Sequence, residues 1–250
     1  MLKISRGAGK LVGLSNALNR PKADSLDDVY QHIFASIVDQ RLLPGTKLNE
    51  LSLCEIFNTG RRQIGQVLLR LSHDKLVTLH VNRGAYVAAP DVAEARMVFD
   101  ARKVIEGEIT RIVAARITRE QLGPLRRNVD EEDNCRRQGR IREAIRLSGA
   151  FHILLGELSG NQILADLVRS LVARTSLVVS LYENQNTMSC WHDDHRVFLK
   201  HLEAHRVAPA VTLMRKHLAH VEESLNLDRR HDAPFDLRTI YAPATTRAGR

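Results

Sequence analysis

Two short helical patterns, then two alternating apolar runs about a turn, all fall within Leu48 to Val87 (LNELSLCEIFNTGRRQIGQVLLRLSHDKLVTLHVNRGAYV). Few folds accommodate that succession. Leu51, Leu53, Ile56 and Phe57 suit a short helix with one buried stripe, and Ile64, Val67, Leu68 and Leu71 recur at the three- and four-residue spacing of a second. Asn58-Thr59-Gly60 breaks the pattern between them. After Asp74, Leu76 to His80 and Ala85 to Ala88 have strand composition, and Val81-Asn82-Arg83-Gly84 supplies the turn. The expectation is a winged helix-turn-helix with this hairpin as its wing.

A further helix precedes it. Ser25 with Asp27 and Asp28 marks a helix start, because a serine cap and early carboxylates satisfy and complement the unpaired amides there. Val29, Ile33, Phe34 and Ile37 form its buried face. It should end near Gln40, since Leu43-Pro44-Gly45-Thr46 is a turn in which proline forbids helical continuation.

The second helix of the pair opens with Gly60-Arg61-Arg62-Gln63, where a recognition helix presents its first turn to the major groove. Arginine pairs bidentately with guanine and glutamine with adenine. Arg70 and the wing-tip Arg83 are better placed for phosphate, which positions a protein without reading sequence. The candidate DNA contacts are therefore Arg61, Arg62, Gln63, Gln66, Arg70, Asn82, Arg83 and Gly84. The plainer alternative is a set of ordinary solvated arginines. A cationic helix start combined with a cationic wing tip favours DNA.

The net charge of +8 over 250 residues fits a polyanionic partner, although charge alone suits RNA, DNA or a membrane surface equally. Cys54, Cys135 and Cys190 are odd in number, far apart and without C-x-x-C spacing, which argues against a disulfide framework or a thiolate zinc site. No apolar run has the length of a signal peptide core or a membrane span. A cytoplasmic protein is expected. Residues 1–23 read as a flexible basic arm and residues 229–250 as a flexible tail, flanking a DNA-binding domain at 24–90 and an all-helical domain at 91–228.

From Asp91 onward the strand signals vanish. Val98, Ala101, Val104, Ile105, Ile109, Ile112 and Val113 give one long amphipathic helix ending near Thr118. Gln121 to Arg137 is highly charged and is expected on the periphery. Glu143 to Leu158, the strongly apolar Ile163 to Leu181, His192 to His205 and Ala208 to Leu225 complete an antiparallel bundle, with a helix stop and restart at Ser159-Gly160-Asn161. The fold class is mainly α, a winged helix-turn-helix followed by a helical bundle.

The run Leu43-Pro44-Gly45-Thr46-Lys47-Leu48-Asn49-Glu50, with Gly60-Arg61, Leu68-Leu69-Arg70-Leu71, Leu76-Val77 and Asn82-Arg83-Gly84-Ala85-Tyr86-Val87, resembles the DNA-binding domain of GntR-family bacterial transcription regulators. The resemblance covers roughly Asp24 to Pro90. It departs from the family where a serine usually precedes the helix-opening arginine and a proline-valine-arginine follows, since this chain has Gly60 and then Gln63-Ile64-Gly65. Gly65 removes a side chain that often contacts DNA in the family, which implies a different operator.

Phe151-His152, Ser159-Gly160-Asn161, Asp194-His195-Arg196 and Met214-Arg215-Lys216-His217-Leu218 are similar to the all-helical ligand domain of the FadR subgroup. Many of its members hold a metal with one aspartate and three histidines. The resemblance implies His152, His195 and His217 as ligands of a divalent metal, zinc or nickel, whereas spacing alone would leave each a hydrogen-bonded core histidine. The aspartate is missing, because Ser148 stands four residues before His152. Metal affinity then falls, or water or a ligand's own carboxylate fills the position. Arg102 and Arg174 resemble arginines that reach the effector cavity, which with Ser148 makes an effector-binding set; the alternative is that they pair with local acids such as Glu106 or Glu108.

The function implied is a ligand-responsive transcription regulator, a repressor by the commoner family behaviour, that binds a palindromic operator as a homodimer and senses a small carboxylate. Two other readings compete. A metal-dependent hydrolase could use the three histidines, but no H-E-x-x-H pattern, serine elbow or phosphate-cradling glycine loop is present. A nucleoid-type protein binding by charge alone leaves the apolar bundle without a task.

Overall fold

The computed structural model describes residues 25–183 and 194–227. The arm and tail expected at the two ends, and the residues about Cys190, lie outside them. Helix α1 (Leu26–Val38) starts on Ser25, whose side chain accepts from the Asp28 amide. Strand β1 (Lys47–Leu48) leads to α2 (Glu50–Phe57), capped by Asn49 and closed by Asn58 in the left-handed region at φ 49°. Helix α3 (Arg61–His73) follows after three residues, and β2 (Val77–His80) and β3 (Gly84–Val87) form the wing.

Strand β1 is the element the sequence reading missed. It pairs antiparallel with β3, Lys47 opposite Tyr86, which places β3 in the middle of a sheet ordered β1-β3-β2. A two-residue strand is too short to show a period. At the wing tip Asn82 and Gly84 both take positive φ, 61° and 88°, a geometry that asparagine and glycine reach most easily.

Six helices follow: α4 (Val92–Arg116), α5 (Arg119–Arg137), α6 (Ile141–Leu158), α7 (Gln162–Tyr182), α8 (Asp194–Glu203) and α9 (Val207–Glu223). The α4–α5 boundary is a reciprocal cap in which Thr118 Oγ1 accepts from the Gln121 amide and Gln121 Oε1 accepts from the Thr118 amide. Pro209 sits in the first turn of α9, where its missing N–H costs no helical bond.

Three side chains assigned to apolar stripes face outward instead. Leu51 on α2 and Val104 on α4 are exposed, Val104 by 69%, and Ile163 at the start of α7 is exposed as well. The peripheral placement of Gln121 to Arg137 is also overturned. Leu122, Leu125, Val129 and Cys135 of α5 are buried, and so are Asn128 and Glu132. Its charges mask a 3.6-residue stripe that packs on α6 and α8.

The two halves share a wall. Val29, Ile33 and Ile37 of α1 belong to one apolar cluster with the α3 and wing side chains, and that cluster also takes in Ala173 and Leu177 of α7. Tyr182 Oη donates to Pro90 O at 3.1 Å, which fastens the end of α7 to the connection before α4.

Candidate DNA-binding face and metal centre

On the N-terminal half, Ile64, Val67, Leu68 and Leu71 anchor α3 in the core, so helical periodicity turns Arg61, Arg62, Gln63 and Gln66 outward. Among the described residues the side chains of Arg61, Arg62 and Arg83 make no ion pair or hydrogen bond. Asn82, Arg83 and Gly84 are exposed at the wing tip. Gly60 carries no capping side chain, and the Gln63 side chain folds across it, its Oε1 standing 2.6 Å from where a Gly60 Cβ would lie.

Arg70 is different. Its Nη1 donates to Asp27 Oδ1 at 2.8 Å and its guanidinium carbon lies 3.8 Å above the Tyr30 ring centroid. Tyr30 Oη in turn donates to Asp74 Oδ2 at 2.6 Å. Arg70 therefore braces α3 against α1 in addition to any contact with phosphate.

Inside the bundle, His152 of α6, His195 of α8 and His217 of α9 converge. All three are buried, and one ligand atom from each falls within 4.8 Å of the others. Phe151 stacks on the His195 ring at 4.2 Å between centroids and closes one side. A crevice of about 10 Å³ reaches the site past Glu132, Asp194, His195 and His217, room for a single water or ion.

Each ring is held by its own carboxylate. His152 Nδ1 meets Glu106 Oε2 at 2.5 Å, His195 Nδ1 meets Glu132 Oε2 at 2.9 Å, and His217 Nδ1 meets Asp194 Oδ2 at 3.1 Å. Arginines brace two of these carboxylates: Arg102 Nε donates to Glu106 Oε1 at 2.6 Å and Arg136 Nη2 to Glu132 Oε1 at 2.5 Å. Burial alone would raise the Glu106 carboxyl, but Arg102 and His152 outweigh it and hold the group at about 2. Glu132 is likewise held at about 2, burial opposing, by His195 and Arg136. Desolvation pushes His152 down to about 3 and lowers His217, so both imidazoles are neutral at pH 7, the state a ligand nitrogen requires.

With every Nδ1 engaged, the Nε2 atoms remain to bind, and His195 Nε2 is buried with no hydrogen-bond partner. A carboxylate behind each imidazole is the arrangement that fixes tautomer and orientation in protein metal sites. The donor set fits a divalent transition metal. Sequence reading found the three imidazoles and offered Glu106 only as a partner for Arg102, a pair the structure contains; it assigned neither Glu106 nor Glu132 to the rings, from which they lie 46 and 63 residues away. Only the burial of a charged residue on an apolar helix face could have marked them.

Ser148 is buried one turn before His152. Arg102 is 3% exposed and joins the site through Glu106, its Nη2 buried without a partner. Arg174 reaches away from it, to Glu94 Oε1 at 2.7 Å.

Residues 26–87 match the model of the bacterial regulatory proteins of the gntR family, and residues 97–220 match the FCD domain. The chain is a GntR-family transcription regulator. It is 26% identical over 150 residues to the HTH-type transcriptional repressor RspR of Escherichia coli K12, a match spanning 60% of this chain and 66% of that protein, under two thirds of its length. Among solved structures it resembles E. coli McbR/YncC, with a TM-score of 0.70 at 14% identity over 80% of this chain and 96% of that one. A candidate GntR regulator from Rhodococcus sp. RHA1 gives 0.69 at 19% identity over 79% and 95%. At such identities the structural likeness speaks for the fold alone. GntR regulators bind DNA, and no helix among the described residues is long and apolar enough to cross a membrane.

Proposed function

We propose that this GntR regulator is a cytoplasmic, metal-dependent repressor that binds a palindromic operator as a homodimer and releases it on sensing a small carboxylate. Residues 24–90 serve as the DNA-binding domain and residues 91–228 as the effector-binding and dimerisation domain. The observation that carries the DNA reading is the free outward presentation of Arg61 and Arg62 at the start of α3, with Arg83 on the wing. Arg61, Arg62, Gln63 and Gln66 read base edges, while Asn82, Arg83 and Gly84 follow the backbone and Arg70 adds phosphate contact at its exposed edge. One such helix covers too few bases for selectivity in a genome, so two related by symmetry engage successive major grooves.

In the bundle, His152, His195 and His217 hold zinc or nickel through Nε2. A bound cation supplies a Lewis-acidic centre for a carboxylate oxygen. Glu106, Glu132 and Asp194 are all occupied in orienting the rings, so among the described residues these three carboxylates are not left to take the place that Ser148 cannot fill. The effector's own carboxylate completes the shell, with Arg102 as the nearest buried cation. The same occupation means that none of these three carboxylates is free as a general base, which disfavours a hydrolase that would use them.

Selection of bound duplexes from a random pool, with and without zinc and a panel of carboxylates, tests the whole reading. A palindromic consensus lost on Arg61→Ala is expected, together with a uniform weakening on Arg83→Ala that reduces the salt dependence by about one counterion. Enrichment of no sequence would remove the operator. Absence of metal from protein purified without chelator and then dialysed against zinc would remove the metal.

A further inference from the structure

Thr175 stands where the histidine site and the winged helix-turn-helix share their wall. Ala173 and Leu177, four residues apart, lie on one side of α7, fully buried with Val29, Ile33 and Ile37 of α1. Thr175 is two residues from each, roughly 200° round the helix, and so faces the opposite way. There its Oγ1 accepts from Arg102 Nη1 at 3.3 Å and its hydroxyl donates to Leu171 O. Arg102 holds Glu106, and Glu106 holds His152. A continuous set of buried contacts therefore runs from an imidazole of the site to the helix on which α1 rests.

We propose that the Arg102–Thr175 bond is the link that passes occupancy of the histidine site to the DNA-binding half, by breaking when the site fills and letting α7 shift beneath α1. The inference rests on the metal-binding reading above. The links differ in strength. Glu106 is bound at 2.5 and 2.6 Å by charge-assisted contacts, whereas the Thr175 hydroxyl is a neutral acceptor at 3.3 Å. Any movement of the His152 ring on binding through Nε2 would carry Glu106 and the Arg102 guanidinium with it, and the weaker contact to Thr175 would give way first. Arg102 Nη2, buried and unpartnered, is already one acceptor short, so the guanidinium is incompletely held where it stands. Only a contact that differs between the filled and empty states can couple the two sites.

Zinc alone serves as the probe, on the full-length protein. Hydrogen exchange of the α1 amides, residues 26–38, is followed with and without saturating zinc, alongside calorimetric zinc affinity, for wild type, Thr175→Val and Thr175→Ser. Zinc should change α1 exchange by about threefold or more in wild type and in Thr175→Ser, which keeps the hydroxyl. In Thr175→Val the α1 response should vanish while zinc affinity stays within about threefold of wild type. If the valine variant fails to fold by circular dichroism, Thr175→Ala takes its place with the same expectation. Zinc binding with an undiminished α1 response in the variant lacking the hydroxyl overturns the link, as does binding with no α1 response in wild type, and in both cases the metal reading survives. No zinc uptake by wild type removes both.

Discussion

Glu132 Oε2 stands 2.9 Å from His195 Nδ1 across 63 residues of chain, and it joins the charged helix α5 to the histidine-bearing face of α8. The contact explains why a helix so rich in Arg, Asp and Glu is packed rather than peripheral: the buried carboxylate has both a ring nitrogen and the Arg136 guanidinium as partners. A second carboxylate relation of this kind governs His152 through Glu106. Glu132→Gln keeps an acceptor but removes the charge that makes the imidazole a better ligand. Zinc affinity measured by competition with a chromophoric chelator should fall about 10- to 100-fold. Affinity within twofold of wild type would show that the carboxylate contributes nothing to the ligand set.

Much of this arrangement is legible in the sequence, and the rest is hidden for identifiable reasons. The three imidazoles sit on regular apolar stripes whose period can be counted. The carboxylates that orient them do not, since Glu106 and Glu132 are charged residues at core positions, where a count of apolar residues registers a gap. Asp194 lies next to His195 yet serves His217, a pairing set by the α8–α9 crossing rather than by adjacency. In the DNA-binding half, the turn residues and the buried stripe of α3 fix the outward direction of Arg61 and Arg62. The link of Arg70 to Asp27 and Tyr30 depends on how α1 crosses α3, which no local pattern reports.

Gly65 sits inside the recognition helix, and a Cβ built there meets nothing within 4 Å. The glycine thus carries the backbone-entropy cost of its residue type with no packing reason for it. Gly65→Ala should stabilise the protein by about 1 kcal/mol and raise Tm by roughly 2–4 °C. Scanning calorimetry on the full chain checks it, and an unchanged or lowered Tm would mean that this helix is not limited by its own propensity.

The buried imidazoles make the metal-stripped protein sensitive to mild acid. His152 has a folded value of about 3, below its ordinary 6.5, because burial disfavours the cation. Between those limits the unfolded chain takes up a proton that the fold refuses, so stability declines as pH falls below 6.5. Glu106 acts in the same direction at lower pH: its contribution is complete above 4.5 and is lost as pH falls toward its folded value of about 2. From pH 7.5 to 5.5 His152 alone contributes a loss of about 1 kcal/mol. Urea titrations in chelator should show a loss of that order and should show less of it in His152→Asn. Equal stability at both pH values would mean the ring is protonated in the fold.

The last expectation concerns how closely α6 and α7 approach. A Cβ on Gly156 would lie 2.5 Å from Val168 Cγ1 and 3.3 Å from the Ala165 Cα, and one on Gly149 would lie 3.1 Å from Val172 Cγ1. These two glycines are seven residues apart on one face of α6, and His152 lies between them. Their missing side chains let α7 lie against the helix that carries His152. The backbone atom of Ala165 cannot swing aside as a side-chain tip can, so Gly156→Ala must separate the helices locally. A cost of about 1–3 kcal/mol follows for an overfilled interface. Because the displacement occurs one turn from His152, zinc affinity should fall with stability, whereas Gly65→Ala leaves it untouched. Loss of stability with unaltered zinc affinity would show that α6 yields at its C-terminal end without moving the imidazole, and that the close α6–α7 contact serves packing alone.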